Sequence, residues 1–534
     1  MKFFTSLLNW TAIICLSIVS FGCSSSSSDS APATTSVSGV VFAGPAVGTS
    51  VTAKTTAGVV VAGPVTSAAD GTYTISIPNS VLSSDVVIEA TGGTYTDEAT
   101  GTTGVSLGTF SVYIDKNTLN AGTNVTIDPS TTIIRELIRG GKTRAAAESA
   151  FNSSFGYTPD STIKPVFAGI SSASTTPQRL AGVRAAAFSQ LTNDLGIPAT
   201  KQSEVVLALA NDLSDGVLDG IGNGGTAVST ASNTAIPADI GVKFNQALFN
   251  FEKNSSRNKS KLTIDNIGNL AFNKVALTTS YKVEYVPGMT AAAQGKTTFQ
   301  VKLTNRSDGS AATGKSLTLM PTMYMPGMTH SAPVDTVVES STPGTYNCTV
   351  YYLMASGAGM GIWQLNVMIG METATFYPPV AMAMGTTSRA TLKGVADVIG
   401  SMMGMGTSSR TYYLFNDGST FGMTSTFKLF LAVADDSMMM KFPAVYGGST
   451  LHDAMNMAWT VNAATSGVQV SSDGGSTWVT ATDNGGGHWS AAGLSGLASG
   501  GTVRVKVTIN GEQKTSDGTG TGLNYATFTI VAGM

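Results

Sequence analysis

The densest run of soft metal donors in the chain is Met320-Pro321-Thr322-Met323-Tyr324-Met325-Pro326-Gly327-Met328-Thr329-His330, with four thioethers and an imidazole in eleven residues. A Pro-Gly pair at the centre of a β-turn brings the corner residues, here Met325 and Met328, to within about 7 Å at Cα. Residues two apart on a strand share a face, so an extended Met323 joins Met325 on one side of the turn and His330 joins Met328 on the other. Thioether sulfur is a soft ligand suited to Cu(I), and imidazole suits copper in either oxidation state. Met323, Met325, Met328 and His330 are therefore a candidate copper set. The competing reading is structural: methionine fills irregular cores, and the same residues would then close one end of a β-sandwich.

Around that turn, Gly295-Lys296-Thr297-Thr298-Phe299-Gln300-Val301, Met325-Pro326-Gly327-Met328-Thr329-His330, Gly344-Thr345-Tyr346 and Met360-Gly361-Ile362-Trp363-Gln364-Leu365 follow one another. Together, over about residues 296–370, they resemble the YtkA-like and FixH-like domains. The resemblance implies a small β-sandwich of the bacterial cell envelope and an association with copper.

Methionine is concentrated well beyond this turn. Of 22 methionines only Met1 precedes residue 289 and only Met534 follows residue 457. Met382 and Met384, Met402, Met403 and Met405, the triplet Met438 to Met440, and Met455 with Met457 near His452 make up much of the rest. They read either as a shared metal-handling surface or as buried and protein-binding methionine. Cys348 alternates with apolar neighbours as on a strand and reads as a small buried hydrophobe. Asp70 reads as a turn residue, and Asp212, Asp215 and Asp219 as a solvated helix end, because they lack the spacing of a calcium loop. Ser471-Ser472-Asp473-Gly474-Gly475-Ser476-Thr477-Trp478 matches the Asp-box hairpin, which implies Asp and Ser satisfying turn backbone groups with Trp packed inward. His488 and Trp489, after a glycine run, read as loop and core respectively.

The elements that must position these residues are expected to be mainly β. Residues 36–118 give short β-rich runs broken by Gly and Asp, and Ser38-Gly39-Val40-Val41 with Asp70-Gly71-Thr72-Tyr73-Thr74-Ile75 resembles the prealbumin-like domains called carboxypeptidase regulatory-like. Residues 119–262 carry helical spacing, as in Ile133, Ile134, Leu137 and Ile138 or Phe244, Leu248 and Phe251, and are expected to form a separable bundle of four or five helices. Residues 270–372 hold the Met/His turn and residues 387–534 a further sandwich. The expected fold is thus multidomain and mainly β, with immunoglobulin-like or prealbumin-like β-sandwiches and an inserted helical bundle.

Lys2, the apolar run Phe3 to Phe21 and Gly22-Cys23 read as a secretory signal over 1–22, followed by a Ser-rich tether over 23–35. This resembles a bacterial lipoprotein signal and implies lipidation at Cys23, although Ser20-Phe21 departs from the usual lipobox. Cys348 would then be the one thiol of the mature chain, so no internal disulfide forms. A formal charge of −3 without a basic run argues against nucleic acid as a partner. Three histidines, no Gly-x-Ser-x-Gly and no paired acids argue against an enzyme, and the lack of Cys-x-x-Cys-His excludes a c-type haem. Two functions remain. One is a non-enzymatic, copper-binding protein held at the envelope, outer membrane or cell surface by its lipid, in contact with another envelope protein. The other is a structural or adhesive surface protein that binds a protein or polymer.

Overall fold

The structure is a computed structural model and describes residues 33–170, 173–268, 270–401, 406–422 and 424–531. The signal at 1–22, Cys23 and Met402, Met403 and Met405 lie outside the described residues. The protein is multidomain and mainly β, with mainly antiparallel sheets packed as immunoglobulin-like sandwiches and helices between the first and second in chain order.

The first sandwich has a four-stranded sheet and a three-stranded sheet centred on Thr34–Val41. Residues 119–127, expected with the helices, instead supply the strand Asn124–Ile127, which pairs parallel to Thr34–Val41 and completes the smaller sheet. Its Val125 and Ile127 are apolar and inward, a short period-2 signal eclipsed by the helical pattern that follows. Asp70 is the turn residue expected, its Oδ1 accepting the backbone N–H of Thr72 at 3.1 Å.

Five longer helices follow: α1 (Pro129–Arg139), α2 (Arg144–Phe155), α3 (Thr176–Asp194), α4 (Gln202–Asp212) and α5 (Ile240–Lys253). Asp128 starts α1 by accepting the Thr131 N–H at 2.8 Å, with Pro129 at the first helical position, where its missing N–H costs nothing. The helices are not a separable unit. Ile88, Phe110 and Val125 of the sandwich belong to one continuous core with Ile133, Leu209 and Phe244, because α1 turns its apolar face onto the sheet edge. Asp212 also departs from expectation. It is fully buried, and its Oδ1 accepts the N–H groups of Gly220 at 2.9 Å and Asp219 at 3.3 Å, so it organises the loop after α4, and burial pushes its carboxyl up to about 7.

The second sandwich stacks a five-stranded sheet built on Gly295–Asn305 and Thr345–Tyr352 against a four-stranded sheet in the order Met328–Ser331, Leu317–Met325, Ile362–Ile369, Glu372–Phe376. Its core runs on into the third sandwich, where Tyr351 stacks on Phe430 with ring centroids 3.9 Å apart. Cys348 is buried within it as expected, and loss of solvation pushes its thiol up to about 12.

The third sandwich pairs a five-stranded sheet through Arg389–Gly400, Thr407–Thr420 and Ser425–Val433 with a second sheet centred on Gly467–Ser471 and Thr502–Ile509. In its Asp-box hairpin, Asp473 accepts the Thr477 N–H at 3.0 Å and Ser471 Oγ accepts the Gly475 N–H at 2.8 Å. Trp478 does not pack inward. Its indole N–H donates to the Gly475 carbonyl and its face lies 3.9 Å under the Lys506 ammonium, so the ring covers its own hairpin. Trp489 is core, but His488 opens the strand His488–Leu494 rather than sitting in a loop, its backbone in register with Phe430 and both its ring nitrogens held by carboxylates.

Candidate metal site at the Met/His hairpin

The strand before the turn alternates apolar and polar positions, and the structure buries its odd-numbered members: Leu317, Leu319, Pro321 and Met323 face the other sheet. Pro326-Gly327 forms the two-residue connection, with Gly327 at φ 75°, the left-handed value that glycine takes after proline in such a turn. The register then sets Met325 opposite Met328 and Met323 opposite His330, so all four side chains fall on one face of the hairpin. Gly361 lets the neighbouring strand approach: a Cβ there would stand 2.2 Å from the Tyr324 carbonyl oxygen. That close approach is the physical content of the Gly-Ile-Trp motif, since it brings Trp363 directly opposite Met323.

The four donors differ in access. Met323 is fully enclosed between the paired positions of His330 and Trp363, Met325 is half-buried, and Met328 is exposed. His330 is 3% exposed and lies edge-on to Trp363, ring centroids 5.3 Å apart. Burial lowers its pKa, and the Arg389 charge adds to this against the opposing hydrogen bond to Ser331, so the ring is neutral at pH 7. Its Nδ1 donates to the Ser331 carbonyl at 2.8 Å, which leaves Nε2 as the nitrogen with a lone pair.

The hairpin tip opens on a cavity of about 410 Å³. Met325 and Met328 form one wall, Glu252 and Lys253 at the end of α5 another, and Met438 of the third sandwich a third. The Lys253 ammonium is engaged by aromatic faces, 3.6 Å from the Tyr324 centroid and 4.4 Å from that of Phe249. Met325 and Met328 offer neutral thioethers to this cavity, whereas Met323 and His330 are buried on the same hairpin face and do not line it. Among the described residues no group of three or more His, Cys, Asp or Glu could hold a metal ion; thioether sulfur and imidazole are donor types suited to Cu(I).

The alternation of the strand and the Pro-Gly turn are what made the shared face readable in advance. The approach of Met438 had no local signal, because it lies on a loop more than a hundred residues further along the chain. Among the described residues, most of the remaining methionines are on the surface. Met289 and Met371 are as exposed as in an extended chain, and Met382, Met384, Met455 and Met457 are between 62% and 84% exposed, so filling a core does not account for them.

No family model matches the chain, and no curated protein matches it. Among solved structures it is similar to a chimeric titin Z1Z2 functionalized with a KLER exogenous peptide from decorin, at 12% identity over 49% of this chain and 98% of that one, with a TM-score of 0.12. It is likewise similar to the titin domains Z1Z2 in complex with telethonin, at 12% identity over the same shares, with a TM-score of 0.13. The β-sandwich architecture rests on the sheets themselves.

Proposed function

We propose that this chain is an exported, lipid-anchored protein of the bacterial cell envelope, at the outer membrane or cell surface, that binds copper through the Met/His hairpin of its second sandwich and does no chemistry on it. The reading is supported above all by the hairpin register, which sets Met325 against Met328 and Met323 against a neutral His330 on one face. Thioethers bind Cu(I) without a thiolate exposed to oxidation, a physical advantage in an oxidising compartment. The test is anaerobic Cu(I) titration of the full chain in competition with a chromogenic chelator. Replacing Met325 and Met328 together by Leu keeps volume and hydrophobicity and costs about 1.5 kcal/mol or less per site. The expected result is an intact fold with Cu(I) binding lost. A double variant that holds Cu(I) as tightly as the parent sinks the reading.

A second reading is favoured by the exposed Met289, Met382 and Met384: a structural or adhesive protein whose thioethers form a pliable surface for a protein or polymer. It predicts that changing Met382 and Met384 to Ser weakens attachment of cells displaying the protein to protein- or polymer-coated surfaces, with Cu(I) binding unaltered. Unchanged attachment would remove it.

A further inference from the structure

The loop that carries Met438 is bound to the hairpin itself. Met439 accepts the Ser331 N–H through its carbonyl at 2.8 Å, next to His330, and its side chain packs partly into the core of the second sandwich. Within the loop, Asp435 donates its N–H to the Lys441 carbonyl at 3.0 Å, and Asp436 Oδ1 accepts the Met440 N–H at 2.7 Å. Met439 has φ 52°, a left-handed conformation that costs a residue with a Cβ and persists only where its surroundings hold it. The three methionines of the triplet therefore have three different placements. Met439 anchors, Met440 is 40% exposed away from the cavity lining, and Met438, 52% exposed, lines the cavity with Met325 and Met328.

An apolar side chain left half in water gains little from burial, so packing does not explain Met438. Its sulfur is a neutral soft donor in the cavity that already holds two, and a soft monovalent ion gains from each thioether it can reach. Glu252 and Lys253 also line the cavity, and burial pushes the Glu252 carboxyl up to about 7, so near neutral pH it offsets the Lys253 ammonium only in part.

Resting on the copper reading of the hairpin, we propose that Met438 is a further ligand of that site, so that the third sandwich completes a copper centre that the second presents. The inference assigns the metal to a junction between two domains rather than to one. The isolated second sandwich would then bind Cu(I) more weakly than the full chain.

The experiment compares full chains carrying Met438→Leu, Met440→Leu and the paired Met325→Leu and Met328→Leu changes. Each is titrated with Cu(I) alone under anaerobic competition, and sulfur neighbours are counted by X-ray absorption at the copper edge. Met438→Leu should weaken Cu(I) binding by at least about tenfold, the lower end of what losing even an outer partner of a metal ligand costs, and should remove one sulfur from the count. Met440→Leu should match the parent. Both positions are solvent-exposed and the exchange conserves volume, so misfolding is not expected, and circular dichroism checks that. If Met438→Leu binds as the parent does while the hairpin pair loses copper, the hairpin site stands and this inference falls. If neither variant changes binding, both fall.

Discussion

His488 of the third sandwich reaches Asp335 of the second, with Nε2 3.1 Å from Asp335 Oδ2, while its Nδ1 lies 3.0 Å from Asp417 Oδ2. Hydrogen bonding to Asp335 and then to Asp417 raises the imidazole pKa to about 9, against partial burial, so the ring is a cation at neutral pH. The groups facing it are Asp335, Asp417 and the Phe430 ring, and Asp417 is also bound by Lys296 at 2.8 Å and by the Tyr351 hydroxyl at 2.9 Å. Because the folded pKa is raised, the stabilisation is complete below the unfolded value of about 6.5 and is lost as pH rises toward 9. Asp335 and Asp417 have lowered pKa values despite burial, so their contribution is lost only under acid, as pH falls through those lowered values. Thermal unfolding at pH 6 and pH 9.5 should show a lower midpoint at the higher pH. The difference should shrink in His488→Gln, and an undiminished difference would sever the pH effect from this residue.

Arg410 is fully buried in the third sandwich, its Nε 2.8 Å from Asp397 and its Nη1 2.5 Å from Asp435, with its remaining nitrogen donating to the His452 carbonyl. Lys514, equally buried, holds the other oxygen of Asp397 at 3.3 Å and Glu512 at 3.0 Å. Arg410→Met retains apolar bulk but strips Asp435 of its cation, and removing one partner of a buried pair costs about 3–5 kcal/mol. Urea unfolding should show the third sandwich melting at clearly lower denaturant. A midpoint within error of the parent would mean that water already compensates these charges.

Glu98 is 3% exposed at the junction of the first sandwich and the helices. Its Oε1 accepts the Ala168 N–H at 3.0 Å and its Oε2 has no partner among the described residues. Burial pushes the carboxyl up to about 8, the Asp97 charge adding to this and the Ala168 hydrogen bond opposing it. A folded pKa above the unfolded value near 4.5 means the folded state keeps its proton longer, so stability declines as pH rises from about 4.5 to 8. Glu98→Gln removes the titration, and the variant should gain on the parent in melting temperature between pH 5 and pH 8. Parallel profiles would show that Glu98 is not the group responsible.

Export and lipidation at Cys23 make a separate prediction from the apolar run ending at Gly22-Cys23. Mass spectrometry of the mature N-terminus after membrane fractionation should find an acylated Cys23. An unmodified residue at that terminus, or a product confined to the cytoplasm, would defeat it.

Local pattern alone determined a good deal here. Period-2 alternation marked the strand through Met323 and the burial of Cys348, helical spacing marked α1 and α5, and the Pro-Gly pair implied that Met325 and Met328 flank one turn. These features depend on backbone geometry over a few residues, which sequence spacing encodes directly. Tertiary structure decided which methionines are enclosed and which face water, since Met323 and Met455 have equally apolar side chains and opposite exposure. It decided that Met438 stands in the cavity of the hairpin and that His488 bridges carboxylates 71 and 153 residues away. It also decided that Asp212 is enclosed, because Gly220 returns its backbone over the end of α4. In each case spacing assigns a side chain to a face, but what covers that face comes from another sheet or loop, and only the packing of whole elements brings the two together.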